Sequence, residues 1–284
     1  MSSLLSIETA SEASLKKRTA ECIGRIVSTL SPGRTKMLYE TPQSTPSGFV
    51  DKAIMAFLKR NAIQNHQEGF FERLHKDFWQ GKGGEVFSSN CDNRFNDLFL
   101  TRQKDDITAL KKTCLETKPK HLVEFGCSGG AVLNYLTQSI EGIDSATGIE
   151  INQEQVRRNQ TSDEFDSRID FVCDDGGDWL LANGQPQSLF VSNGGVLEYF
   201  RRERLDQMLT HISQQLGPAT FFAIEPVACD HDFDQTNASI PFGNELSFSH
   251  NYPNLFQSNG FDVVHRSVVE FESWKMLAII AVTR

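Results

Sequence analysis

Acidic and small residues gather in four short stretches with the means to do chemistry. Val123-Glu124-Phe125-Gly126-Cys127-Ser128-Gly129-Gly130 sets an acid before a run of small residues. Between a strand and a helix, such a loop lets the backbone approach a ligand closely, and free N–H groups at the helix start favour carboxylate or phosphate. Gly148-Ile149-Glu150-Ile151-Asn152 places a second acid 24 positions after Gly126. A carboxylate at a strand tip can accept both hydroxyls of a ribose, and its plainer role is to cap the next helix. Phe171-Val172-Cys173-Asp174-Asp175-Gly176-Gly177-Asp178 adds three acids, with Asp178 expected to cap a short helix. Phe190-Val191-Ser192-Asn193-Gly194-Gly195-Val196-Leu197-Glu198-Tyr199-Phe200 pairs glycines with a following acid and tyrosine.

Proton-transfer candidates lie further along. Ile224-Glu225-Pro226-Val227 leads into Cys229-Asp230-His231-Asp232, where His231 suits a general base oriented by a neighbouring carboxylate. The dull alternative is a solvated acidic loop. Phe248-Ser249-His250-Asn251-Tyr252-Pro253 brings together His250 and Tyr252, with His250 equally suited to a helix start. Glu198, Tyr199 and Glu225 are candidates for gripping a polar or cationic molecule. Upstream, His75 to Trp79 and Asn93 to Asp97 are chemically loaded, although a buried aromatic face is the expected reading of Phe71, Phe78 and Trp79. His211, inside an amphipathic helix, and His265, in a strand, read as structural.

The elements that must position these residues change character near residue 118. Before it, helices are expected at 10–30, 49–63, 67–79 and 102–117. Leu15, Ala20, Cys22, Ile23, Ile26 and Leu30 form the apolar face of the first, Ser31-Pro32-Gly33 breaks it, and 41–48 is a turn-rich loop. Gly81-Lys82-Gly83-Gly84 should end the 67–79 helix. After residue 118, strands at 121–125, 146–151, 168–173, 188–192 and 219–225 alternate with helices, which implies a parallel sheet wound on both faces. A helix at 246–258 then precedes strands at 261–269 and 274–283. Only Glu270 to Ser273 separate these two, too short for a crossover, so they must pair antiparallel.

This layout and these motifs resemble class I S-adenosylmethionine-dependent methyltransferases of the small-molecule type, over about residues 105–284. The resemblance implies a Rossmann-like seven-stranded, mostly parallel sheet closed by an antiparallel hairpin. It places the methionyl ammonium of the cofactor beside Glu124 and wraps the methionyl and ribose portion with Gly126, Cys127, Ser128 and Gly129. Ser128 stands where the family often has its second glycine. Glu150, with Ile151 after it, would meet the ribose. Asp175, or its neighbour Asp174, would meet the adenine amino group, and the stretch from Asn193 would pack on the cofactor and face the acceptor. Residues 1–104 would form a helical lid that carries acceptor specificity, and 105–284 the methyltransferase domain.

Composition narrows the acceptor. The net charge of −9 carries only short basic pairs, Arg157-Arg158 and Arg201-Arg202, so neither nucleic acid nor an anionic membrane is expected as a partner. Phenylalanine is abundant, 21 against four tyrosines, which points to large apolar surfaces or a greasy pocket. The six cysteines include no C-x-x-C pair and read as reduced core residues rather than metal ligands. There is no apolar leader and no long apolar run, and Glu8, Glu12 and Glu21 argue against a transit peptide, so the cytoplasm is expected. The leading expectation is methyl transfer to oxygen, nitrogen or sulfur of a small polar molecule, with a homodimer plausible. A protein methyltransferase comes second, a nicotinamide oxidoreductase third, and a non-catalytic cofactor-binding subunit forms a separate class.

Overall fold

A computed structural model describes residues 10–88, 94–243 and 246–283, with side chains from residue 19 and not at 86–88. Glu8, Asn93 and the side chains of Glu12 and Leu15, all named above, lie outside what is described, as does one of the six cysteines, Cys91. The chain divides into two compact units, Met1–Phe78 and Trp79–Arg284.

In the first unit, α1 (Ala10–Leu30), α2 (Pro32–Glu40) and α3 (Phe49–Gln64) precede α4 (Glu68–Gln80). Pro32 does break α1, as its missing N–H dictates, and then serves as the first residue of α2. The face that α1 buries differs from expectation. Ile26 and Leu30 are 62% and 77% exposed, while Glu21, Gly24 and Ser28 turn inward. Gly24 has no Cβ, and one there would collide with the Ala53 carbonyl of α3, so the two backbones touch on this side. Glu21 pairs with Arg60 of α3 beside that contact. Backbone proximity and a part-buried ion pair thus override the apolar stripe.

The second unit holds the sheet, in the order β3-β2-β1-β4-β5-β9-β8. The parallel strands are β1 (His121–Phe125), β2 (Ser145–Glu150), β3 (Ile169–Cys173), β4 (Ser188–Asn193) and β5 (Thr220–Ala228). β8 (Phe261–Glu270) and β9 (Trp274–Thr283) form the expected antiparallel hairpin, with β9 paired to β5. Alternating residues feed two cores. Phe125, Phe190, Phe221 and Phe256 pack on one face, and Leu122, Leu189, Val191 and Phe222 on the other. Phe125 and Phe190 stack at 6.0 Å, so the phenylalanine surplus is spent largely on the sheet.

Helices α6 (Lys104–Thr117), α7 (Ala131–Ser139), α8 (Gln153–Gln160), α9 (Gly176–Asn183), α10 (Arg202–Gln215) and α11 (Tyr252–Ser258) connect and cover the strands. Two expectations are corrected. Gly83-Gly84 lie inside a short helix, α5 (Lys82–Ser88), not in a terminating loop. Ser247–Ser249 is a strand, β7, paired with β6 (Ile240–Phe242), so the last helix begins at Tyr252, after Asn251, rather than at 246. Asn251 fixes that start: its carbonyl oxygen caps the Asn254 N–H at 3.2 Å, and its amide donates to the Phe233 and Thr236 carbonyls. Of the cysteines, Cys114 and Cys127 are buried as expected, whereas Cys22, Cys173 and Cys229 are exposed thiols.

Candidate active site at the strand tips

Parallel strands all point their carboxyl ends to one edge, and there the four acidic stretches meet. β1 delivers Glu124 and Phe125, followed by Gly126 at φ +64° and Ser128 at φ +47°. Gly126 is needed twice over: its φ is left-handed, and a Cβ would come 2.6 Å from Val196 Cγ2 of the neighbouring loop. Ser128 adopts the same left-handed region with a side chain, which costs about 1 kcal/mol. Neighbours hold it there. Its N–H donates to Glu150 Oε2 at 3.0 Å, and its carbonyl accepts from Asn159 Nδ2 at 2.7 Å.

Glu150 therefore ties the β2 tip to the β1 loop. Its other oxygen accepts the Asn152 N–H at 2.9 Å. It does not cap α8; Asn152 does, accepting from Gln155 N at 3.0 Å. Glu124 is buried, and its Oε2 makes no hydrogen bond among the described residues. Burial first, and then the nearby Glu150 charge, hold the Glu124 carboxyl well above the usual carboxylate range. Burial also raises Glu150. An unpartnered carboxylate oxygen beside a second buried acid is a site short of positive charge, and a ligand carrying an ammonium and a sulfonium supplies it.

At β3 the two aspartates separate. Asp175 caps α9, accepting from Gly177 N at 3.0 Å, and pairs with Arg204 at 2.7 Å. The expected cap, Asp178, instead shares Arg204 from the helix flank. Asp174 is exposed and accepts the Asp175 N–H at 2.8 Å.

After β4, Gly194 and Gly195 carry the chain from Asn193 into a single turn of 3₁₀ helix, Leu197–Tyr199. Glu225 of β5 shapes this loop. One of its oxygens accepts the N–H groups of Val196 and Leu197 at 3.0 and 3.1 Å, and the other accepts the Ser192 hydroxyl. Burial pushes the Glu225 carboxyl up to about 7, with these hydrogen bonds opposing. Beneath the turn, Tyr252 is 1% exposed and its hydroxyl has no hydrogen bond among the described residues. Its ring lies 5.5 Å from that of His250.

The two histidines differ. His250 is fully engaged: Nδ1 lies 2.6 Å from Ser239 Oγ and Nε2 donates to the Phe200 carbonyl at 3.1 Å. Burial lowers it to about 3, so it is a neutral brace. His231 is oriented by Ser249, whose Oγ lies 2.8 Å from Nδ1, and not by Asp230 or Asp232. Its Nε2 is buried without a hydrogen bond among the described residues, and burial lowers its pKa. His265 is structural, bonded to Asp106 at 2.6 Å.

Sequence reasoning gave no site role to Asn152, Ser192 or Ser249. It assigned Trp79 to a buried aromatic face; in the structure the ring meets Tyr199 at 5.4 Å. Asn152 did carry a signal, a helix-capping residue type directly before α8. Its amide reaches further, to the carbonyls of Trp79 and Gly81 at 3.1 and 3.2 Å. Among the described residues, no group of three His, Cys, Asp or Glu is placed to hold a metal ion.

Residues 122–219 match the family model described as a methyltransferase domain. That stretch, from β1 to the residue before β5, is a methyltransferase domain by this match. In solved structures, the fold is similar to magnesium protoporphyrin IX methyltransferase from Synechocystis PCC 6803, seen with bound S-adenosylmethionine. Identity there is 14%, with 75% of this chain and 97% of that one covered at a TM-score of 0.52. The same enzyme with S-adenosylhomocysteine matches at 13% and 0.52, over 75% of this chain and 100% of that one. A Burkholderia thailandensis 1,6-didemethyltoxoflavin N1-methyltransferase matches at 15% and 0.47, over 72% and 90%. No curated protein sequence matches the chain. No described helix is long and apolar enough to cross a membrane.

Proposed function

We propose that this methyltransferase moves the methyl group to an oxygen, nitrogen or sulfur of a small polar molecule. The observation that carries the donor half is the unpartnered, buried Glu124 oxygen beside Glu150 at the β1 and β2 tips. Glu124 would hold the methionyl ammonium and Glu150 the ribose hydroxyls, with Ile151 beside the latter. Gly126, Cys127, Ser128 and Gly129 would shape the loop around the methionyl portion, and Asn193 would close its far side. The adenine amino group falls to Asp174, because Asp175 is committed to its helix cap and to Arg204.

The bound donor supplies an electrophilic methyl on a sulfonium, and the chain's own task is to align a nucleophile with it and exclude water. Glu225 holds the turn that carries Glu198 and Tyr199 on the acceptor side. Burial lowers the His231 pKa, and a tautomer with Nδ1–H on Ser249 would leave Nε2 with a lone pair for a proton. Tyr252 offers a buried hydroxyl to a polar acceptor. A small acceptor is supported by the net charge of −9 and by these buried polar atoms, which a long polymer would not reach.

Calorimetry should show micromolar S-adenosylhomocysteine binding and no NADH binding; the reverse would end the reading. Incubation of a cell extract with methyl-labelled donor should put the label on species that pass a small-pore filter. Label retained on protein would favour a protein acceptor.

A further inference from the structure

Trp79 sits between two strand tips. Its carbonyl receives the Asn152 amide at 3.1 Å, just past the end of β2, and its ring meets the Tyr199 ring at 5.4 Å, just past the end of β4. β1 lies between β2 and β4 in the sheet. One residue therefore bridges the end of β1, where Glu124 and the Gly126–Ser128 loop lie. The next two residues share the attachment, for the same amide faces the Gln80 and Gly81 carbonyls at 3.5 and 3.2 Å.

Asn152 makes this contact with one half of its side chain while the other half caps α8. Its backbone N–H is simultaneously a donor to Glu150. Three functions on one residue connect the expected ribose carboxylate, the start of α8 and the crossing chain, with no intervening side chain. We propose that Asn152 is a positioning residue that latches the Trp79–Gly81 strap across the end of β1, so that donor binding at Glu150 and seating of the strap are one coupled event. Coupling of this kind is reciprocal: the factor by which the donor favours the seated strap is the factor by which the seated strap strengthens donor binding. A seated strap would also keep water from the reacting carbon.

The proposal rests on the donor reading above, and the test separates the two. Asn152→Asp keeps the oxygen that caps α8 but points an anion at three carbonyl oxygens; Asn152→Ser keeps a capping hydroxyl that is too short to reach them. With Trp179→Phe and Trp274→Phe, Trp79 is the sole tryptophan, and acrylamide quenching reports its exposure. S-adenosylhomocysteine should protect Trp79 in the wild-type background and fail to protect it in both Asn152 variants. Its Kd should rise about 5- to 10-fold in them, with the unliganded protein still folded and its melting temperature lowered, more so by the buried charge of Asn152→Asp. Equal protection in Asn152→Asp and wild type would overturn the latch, as would wild-type binding that leaves Trp79 quenching unaltered. Absence of wild-type binding would overturn the donor reading beneath it. Should the tryptophan variants fail to fold, amide exchange at residues 79–84 with and without S-adenosylhomocysteine gives the same two outcomes.

Discussion

Glu150 accepts the backbone N–H of Ser128 at 3.0 Å, so the acid at the tip of β2 holds the left-handed residue of the loop after β1. The two motifs, 22 residues apart in sequence, are one piece of structure. A ligand that hydrogen-bonds to Glu150 also senses the loop.

Glu150→Ala is expected to weaken S-adenosylhomocysteine binding by about 10-fold or more, because a charged hydrogen-bond partner contributes about 1.5–3 kcal/mol. It also frees the Ser128 and Asn152 N–H groups, so a modest fall in melting temperature should accompany it. Calorimetry and thermal unfolding measured together check both. Unchanged affinity would leave Glu150 as a loop brace alone.

Asp174 and Asp175 should separate cleanly. Asp175→Ala removes a helix cap and half of the Arg204 arrangement, costing about 1 kcal/mol or more of stability. Asp174→Ala should leave the melting temperature within a degree or two and weaken cofactor binding. Were Asp175→Ala to lose affinity while keeping full stability, the adenine role would move to it.

Glu225 gives a pH signature. Its folded-state pKa, about 7, lies above its ordinary value, so the folded state binds the proton more tightly than the unfolded chain. Its contribution to stability is therefore complete below the ordinary carboxylate range and is lost as pH rises towards 7. Glu124 pulls in the same direction, whereas His250, held low, loses stability on acidification below its ordinary value. The comparison with Glu225→Gln isolates one group. The variant should gain on the wild type between pH 5 and 8, by an amount on the order of 2 kcal/mol at the upper end. Parallel melting curves across that range would remove Glu225 as the titrating group.

Gly126→Ala meets both the left-handed φ and the Val196 side chain. A destabilisation of about 1–3 kcal/mol is expected, with donor affinity reduced because the loop and the 193–199 turn must move apart. Val196→Ala added to it should recover part of the stability, and failure to do so would place the whole cost in the backbone.

The strands and the closing hairpin were legible because their signals are local: apolar runs of five or six residues, and a four-residue gap that forbids a crossover. The acids at the strand tips were legible for the same reason. What could not be read were commitments made across the fold. Asp174 and Asp175 are adjacent and alike in sequence, and it is the α9 cap and the approach of Arg204 from α10 that distinguish them. His231 finds its orienter in Ser249, eighteen residues on, because β6 and β7 pair. The apolar stripe of α1 misled because Gly24, a residue without a side chain, decides which face meets α3.

The hydrogen bonds from Val196 and Leu197 to Glu225 have a meaning for anyone redesigning this molecule. The turn that would face the acceptor takes its shape from a carboxylate on the next strand, with Ser192 beside it. Grafting residues 193–199 alone onto a related scaffold would transplant a sequence without its mould. The transferable cassette is the turn together with positions 192 and 225, and a library that varies the turn should hold those two fixed.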